Sequence, residues 1–420
     1  MPTTTPADNA ESIGVYVHFP WCLAKCPYCD FLSVAVPSPV PGRAPTASEA
    51  RASLEHERYA DAVIAEATLR LGHLGPQAPL RSVFFGGGTP SLWHPQALGR
   101  VLKWILAAFG APNRPTAEQI EITVECNPTS LDHGHIEALL EQGVNRLSIG
   151  VQSLSAQRLE FLGRLHDEQG GLAAVRAALE VGVPRVSADL IYGVYDQGPE
   201  QAVREVETVA ATGVSHLSAY ALTIEPNTKF GAQAKAGRLP LLDDSLIAAS
   251  FSAVSAALQN VGLAHYEISN FARPGHESRH NRGYWLGEDY LGLGTGAFGT
   301  VRLPGESARL RYKNLLVPER YVRAFLDEPP SRPFEESLAE SEWIDGPTSI
   351  QEALLLGLRL EGGLDLGELG RRHGVEPWTK ERSRTVERLI RAGKLRRDGE
   401  RLSIPREQWL FADGIVRDLL

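Results

Sequence analysis

The sequence predicts an α/β fold, a partial (β/α)6 barrel followed by a C-terminal helical, winged-helix-like domain. Six short β-branched or apolar runs alternate with stretches of helical period, the pattern of parallel β/α units. Groups able to do chemistry stand directly after the runs, where a parallel barrel carries its functional loops. Past residue 345 the pattern changes to three helical stretches and a hairpin signal.

The strand runs are Gly14 to Phe19, Arg81 to Phe85, Gln119 to Glu125, Asn145 to Val151, Arg185 to Tyr192 and His216 to Thr223. Helical period fills Leu54 to Leu71, Pro95 to Phe109, Asp132 to Gln142, Gln169 to Val181 and Gln201 to Ala211. The first run leads into a cysteine-rich loop, the second into Gly86-Gly87-Gly88-Thr89-Pro90 and the third into Cys126-Asn127-Pro128. The fourth is followed by Gln152-Ser153, and the fifth carries Asp189-Leu-Ile-Tyr192-Gly193.

Three of the four cysteines, Cys22, Cys26 and Cys29, lie in one C-x3-C-x2-C loop. A [4Fe-4S] cluster held by three thiolates keeps one iron open for an exchangeable ligand. A structural zinc site asks for a fourth ligand and normally for two separated C-x2-C pairs; Cys126, far along the chain, is the one remaining thiol. Disulfides are disfavoured, because Met1 to Glu11 is polar and lacks the basic and apolar blocks of a secretory signal. Cys126 reads as a small buried residue.

Composition fits a cytoplasmic enzyme-sized chain: 420 residues, 43% of them apolar, suffice for a sizeable core and more than one domain. No apolar run approaches the ~18 residues of a membrane helix, which leaves peripheral contact open. A formal net charge of -9 argues against nucleic acid as a partner of the whole chain. Arginine outnumbers lysine, 35 to 7, so clusters of arginine carry less meaning than usual.

The cysteine loop resembles that of the radical S-adenosylmethionine (SAM) superfamily, in which the open iron chelates the amino and carboxylate groups of SAM. The strand-end residues suit that ligand. The glycines offer backbone groups to the methionyl ammonium, Glu125 an acceptor for the ammonium or ribose, Gln152 and Asp189 partners for ribose or carboxylate, and Arg164 a cation for the carboxylate. Singly these signals are weak, since a triple glycine is usually a turn and an Asp at a strand end usually caps a helix. Their strength is their common layer beside the cysteines.

Within the superfamily the chain resembles the HemN/HemW family. The residues that carry this are His18-Phe-Pro-Trp-Cys, Phe85-Gly-Gly-Gly-Thr-Pro-Ser, Glu125-Cys-Asn-Pro, Ser148-Ile-Gly-Val-Gln-Ser, Asp189-Leu-Ile-Tyr-Gly and Tyr290-Leu-Gly-Leu-Gly-Thr-Gly-Ala. The resemblance implies a radical SAM barrel with SAM contacts from Tyr16, Tyr28, Gly87, Gly88, Thr89, Glu125, Gln152, Arg164, Asp189, Ala221 and Phe298. One branch of the family oxidatively decarboxylates coproporphyrinogen III; another acts as a haem chaperone. Phe31 stands where the oxidases carry a further cysteine, and His280-Asn281-x-x-Tyr284-Trp285 looks like the haem motif of the chaperones. The resemblance thus implies haem as a third cofactor, with His280 as iron ligand and Tyr284 and Trp285 packed on the ring, a haem-acceptor protein, and an electron donor such as a flavodoxin or ferredoxin. Taken alone, His280 reads more readily as a hydrogen-bonded loop histidine and the aromatics as core; with the family pattern around them the two readings stand level.

Residues 1–13 are expected to be disordered, 14–310 to form the barrel with its haem-motif extension, 311–345 a loosely packed connector and 346–420 the C-terminal domain. Val34 to Ser48, rich in proline, reads as an extended, mobile loop near the cluster or as a lid. After Asp189-Leu-Ile-Tyr-Gly the family's Leu-Pro is replaced by Val194-Tyr195-Asp196. In the C-terminal part, Ser349 to Leu360, Leu366 to His373 and Thr379 to Ala392 are helical, and a hairpin turns at Asp398-Gly399. Between Arg371 and Arg401 eleven Lys or Arg face five Asp or Glu, which keeps nucleic-acid binding as a minor alternative.

Overall fold

The computed structural model describes residues 12–75 and 77–420. The disorder expected for residues 1–13 falls outside the described residues as far as Glu11; strand begins at Ile13. Six parallel strands stand side by side in chain order: β1 (Ile13–Phe19), β2 (Leu80–Gly87), β3 (Glu121–Cys126), β4 (Arg146–Gln152), β5 (Arg185–Tyr192) and β6 (His216–Ala221). Helices His56–Leu74, Pro95–Ala108, His133–Glu141, Glu168–Glu180 and Pro199–Ala210 make the return crossings between them. Their starts follow local chemistry: Asp132 and Asp167 cap two of them through the His135 and Gly170 amides at 2.8 and 2.7 Å, and Pro95 opens another. Val15, Val17, Ile122, Val124, Leu147 and Ile149 are fully buried under these helices.

The sheet continues past the six units. Tyr290–Leu293 pairs parallel with β1, and Phe298–Val301, Arg309–Asn314 and Leu338–Ile344 extend that edge antiparallel. Asn270–Ala272 and Ala264–Glu267 extend the edge beyond β6, giving twelve strands among the described residues. The expectation of a loose connector over residues 311–345 is corrected here. Helix Pro318–Leu326 buries Tyr321 and Phe325, an i, i+4 pair, and Leu338–Ile344 is an edge strand. The lock is a buried carboxylate: Glu66 accepts from Tyr321 Oη at 2.6 Å, Asn314 Nδ2 at 2.7 Å and the Gly294 amide at 2.7 Å, and pairs with Arg70 at 3.0 Å. Prolines and acids hid this packing in the sequence.

The proline-rich stretch is likewise less free than its composition predicts. Val34–Ala35 pairs with Trp21–Cys22, and Thr46 with Glu49 forms a capping box that starts a helix at Ala47. The C-terminal domain has its own core around Leu354, Leu366, Leu389, Leu402 and Trp409. Leu364–Asp365, Arg401–Ser403 and Arg396–Asp398 form a small sheet in which Asp398 pairs with Arg401, so the turn is Gly399-Glu400, one residue later than expected. In the basic stretch Arg388, Arg396 and Arg397 pair with Asp418, Glu407 and Glu400, which reduces the charge free for a polyanion.

Candidate functional site

β1 ends in the cysteine loop, and its inward side chains hold that loop in place. His18 Nε2 donates to the Leu32 carbonyl at 2.8 Å, just past the third cysteine, while Tyr16 Oη donates to His18 Nδ1 at 2.9 Å. Burial lowers the His18 pKa to about 4, so the ring stays neutral and this polarity is fixed. β2 passes close beneath: a Cβ on Gly88 would meet the Trp21 carbonyl oxygen at 2.7 Å. That glycine therefore answers first to the meeting of two strand ends, rather than to a ligand alone.

Cys22, Cys26 and Cys29 are half-buried free thiols, and Cys126 is a buried one. Thr89 Oγ1 donates to Cys22 Sγ at 3.4 Å, and Arg164 Nη1 to Cys26 Sγ at 3.6 Å. Burial pushes the Cys22 thiol up to about 11 and raises Cys29, so their ionisation calls for metal charge. Among the described residues no three His, Cys, Asp or Glu side chains converge on a single-ion site. A four-iron cluster needs less convergence, because each thiolate ligates its own iron.

A cavity of about 560 Å³ opens beside the three cysteines. Tyr28, Gly87, Gly88, Thr89 and Glu125 line it from β2, β3 and the loop; Gln152, Arg164, Asp189 and Ala221 line it from the other side. The groups it presents fit SAM. Glu125 accepts only the Gly87 amide, at 3.0 Å, and burial beside Asp189 raises its pKa to about 7, a state that a cationic or hydroxylic ligand relieves. Arg164 uses Nη1 on Cys26 and Nη2 on the Gly150 carbonyl, and its buried Nε has no partner. Gln152 sits at φ +66°, a strained position for a side-chain-bearing residue and one common at ligand sites.

A second, central cavity of about 780 Å³ is lined by residues of all six parallel strands and shares part of its lining with the first, Cys29, Phe31, Gly87, Glu125 and Asp189 among them. Tyr16, Phe298, His280 and Tyr284, expected as SAM or haem contacts, line this one. His280 is 1% exposed, and both ring nitrogens are engaged, Nδ1 with Ser82 Oγ at 2.9 Å and Nε2 with Tyr284 Oη at 2.8 Å. The ring stacks on Phe84, and burial lowers its pKa to about 3. The expected iron ligand thus lies in a short helix with both ring nitrogens hydrogen-bonded within the wall, and iron would have to displace Ser82 or Tyr284 to reach it. Trp285, the other expected ring contact, does not line the central cavity. It faces a different cavity, between the barrel and the C-terminal domain, beneath Arg359.

Several lining residues escaped the sequence reading. His216, Ser218 and Tyr220 alternate along β6 onto the central cavity, and Arg146 and Ser148 do so along β4. Polar residues at period two inside otherwise apolar strands were the available signal. The loop after β5, where the chain departs from the family, folds into a small apolar cluster of Leu162, Ile191, Val194, Phe230 and Leu239.

Residues 16–209 match the radical SAM superfamily, and residues 344–411 match the HemN C-terminal domain. The Heme chaperone HemW of Mycobacterium tuberculosis is 33% identical over 412 residues, 98% of this chain and 95% of that protein. The Heme chaperone HemW of Escherichia coli is 34% identical over 352 residues, 82% of this chain and 86% of that one. Among solved structures, coproporphyrinogen III oxidase (HemN) from Escherichia coli superposes with a TM-score of 0.75 at 20% identity, covering 98% of this chain and 90% of that one, a likeness of fold.

Proposed function

The chain belongs to the HemW family of radical SAM proteins, and from that premise we propose that it binds haem in the central cavity and passes it to an acceptor protein in the cytoplasm. The observation that carries this reading is the second cavity: about 780 Å³, walled by Tyr16, Phe84, Tyr284 and Tyr290, and adjoining the cysteine loop. Flat aromatic walls suit the face of a porphyrin.

Cys22, Cys26 and Cys29 would ligate a [4Fe-4S] cluster, with Thr89 and Arg164 donating to the sulfurs and His18 fixing the loop exit. Glu125, Gln152, Asp189 and Arg164, with Tyr28, Gly87, Gly88 and Ala221 as walls, would hold SAM. When bound, the cluster and SAM supply one-electron chemistry at the sulfonium, fed by an electron donor such as a flavodoxin or ferredoxin. No helix of the described residues is long and apolar enough to cross a membrane.

The HemN-like fold keeps coproporphyrinogen oxidation as the second reading. Against it stands Phe31, apolar and 66% exposed where the oxidase branch has a cysteine. Anaerobically reconstituted protein, loaded with haem and mixed with a haem-depleted acceptor, should pass the haem on with recovery of the acceptor's own absorbance. Haem that never binds, or never leaves, would count against the proposal.

A further inference from the structure

The mouth of the central cavity differs in chemistry from the wall it shares with the cluster cavity. Phe31, Phe298 and Leu316 line the mouth, Phe31 bordering the cluster cavity as well, and are 66%, 43% and 39% exposed. Lys25 and Lys313 line it as well, two of only seven lysines in a chain with 35 arginines. Lys25 is exposed; Lys313 Nζ stands 4.8 Å from the centre of the Phe298 ring and 3.9 Å from Glu340, whose carboxylate is 69% exposed. So loose an ion pair in solvent is readily exchanged.

The opposite wall carries Glu125 and Asp189, both half-buried. A ligand carboxylate placed there would meet two carboxyl groups, which repel it to the extent that they are ionised. Arg146, the buried cation of the same lining, is already committed to Glu121 at 3.6 Å and to the His276 carbonyl at 3.1 Å. Asp30, exposed at the mouth, lines both cavities on the cysteine-loop side. Lys313 thus stands over Phe298, and Lys25 donates to the Phe31 carbonyl at 3.5 Å, so a cation accompanies each ring at the mouth, while Glu125 and Asp189 stand at the far wall.

The geometry points to one orientation for the cargo: an iron porphyrin dicarboxylate lies with its ring against Phe31 and Phe298 and its propionates at the mouth, held by Lys25 and Lys313. This rests on the haem reading above and adds which edge faces out and which residues hold it. Position 31, as Phe, then serves as a platform for the ring.

Haem and haem dimethyl ester, which lacks the carboxylate charges, are titrated into reconstituted wild-type protein and into a Lys25→Met, Lys313→Met double variant, with cluster absorbance recorded in the same samples. The double variant should bind haem about tenfold more weakly and the ester as the wild type does. Lys313→Met alone, away from the cysteine loop, should show about threefold of that loss, and Phe31→Ser should weaken haem and ester alike. Equal loss of haem and ester in the lysine variants, or no loss of either, overturns the placement while haem binding itself stands. Wild-type protein that binds neither compound overturns the functional reading from which the placement proceeds.

Discussion

The two adjoining cavities are built from different parts of the sequence. The cluster-side cavity gathers residues from the C-terminal parts of consecutive strands, Gly87, Glu125, Gln152, Asp189 and Ala221, and from the loops that follow them, Gly88, Thr89 and Arg164. The central cavity draws on residues from Tyr16 to Leu316, mid-strand positions and the antiparallel extension included. One cavity is a property of the parallel barrel, and the other exists only once the extra strands are in place. A substitution at the first should act on a ligand; one at the second should act on a ligand and on the packing of the sheet together.

The largest effect should come from the cysteine loop. Replacing Cys22, Cys26 or Cys29 with Ala should abolish the stable cluster, whereas Cys126→Ala should keep it, because that thiol is buried and donates to the Val124 carbonyl at 3.4 Å. Iron content and cluster absorbance read this. Iron lost from Cys126→Ala and kept by Cys22→Ala would reverse the ligand assignment.

Next in size is His280→Ala, which sharpens the contrast because its ring belongs to the wall of the second cavity. Losing it strips partners from Ser82 and Tyr284 and opens a void, so stability should fall by about 2–4 kcal/mol. Cluster content should hold, and the Soret position of bound haem should not move. A shifted Soret band at unchanged stability would restore His280 as an iron ligand.

Glu125 reports on the shared wall. Burial raises its pKa to about 7, against about 4.3 in an unfolded chain, so the fold favours its protonated form. Its contribution is fully present below about pH 4.3 and is lost as pH rises through about 7. Cluster-free wild type should therefore lose on the order of 2–3 kcal/mol relative to Glu125→Gln between about pH 5 and about pH 8. Denaturant unfolding at the two pH values measures this, and parallel curves would place Glu125 in water. The smallest effect belongs to Trp285→Phe: Trp285 lines neither ligand cavity, so haem affinity should be unchanged and stability should move by about 1 kcal/mol or less.

Much of this architecture could be read from the chain. The six parallel strands and their helices follow from period and caps, and the cysteine loop from spacing. The extension could not be read the same way. Tyr290–Leu293 and Phe298–Val301 are four residues each, broken by glycines, and their partners are distant in sequence. The Glu66 lock joins residues 66, 70, 294, 314 and 321, a convergence no local window contains. The setting of His280 was hidden for a related reason: its motif implied an iron ligand, but Ser82, from a strand nearly two hundred residues earlier, takes one of its nitrogens.

The central claim is that the second cavity receives haem as cargo. Anaerobically reconstituted protein should be offered haem in one sample and coproporphyrinogen III with SAM and a reductant in another. One haem bound per chain, with no divinyl product from the porphyrinogen, is the predicted result. Stoichiometric conversion of the porphyrinogen to a divinyl product, with no haem retained, would contradict it.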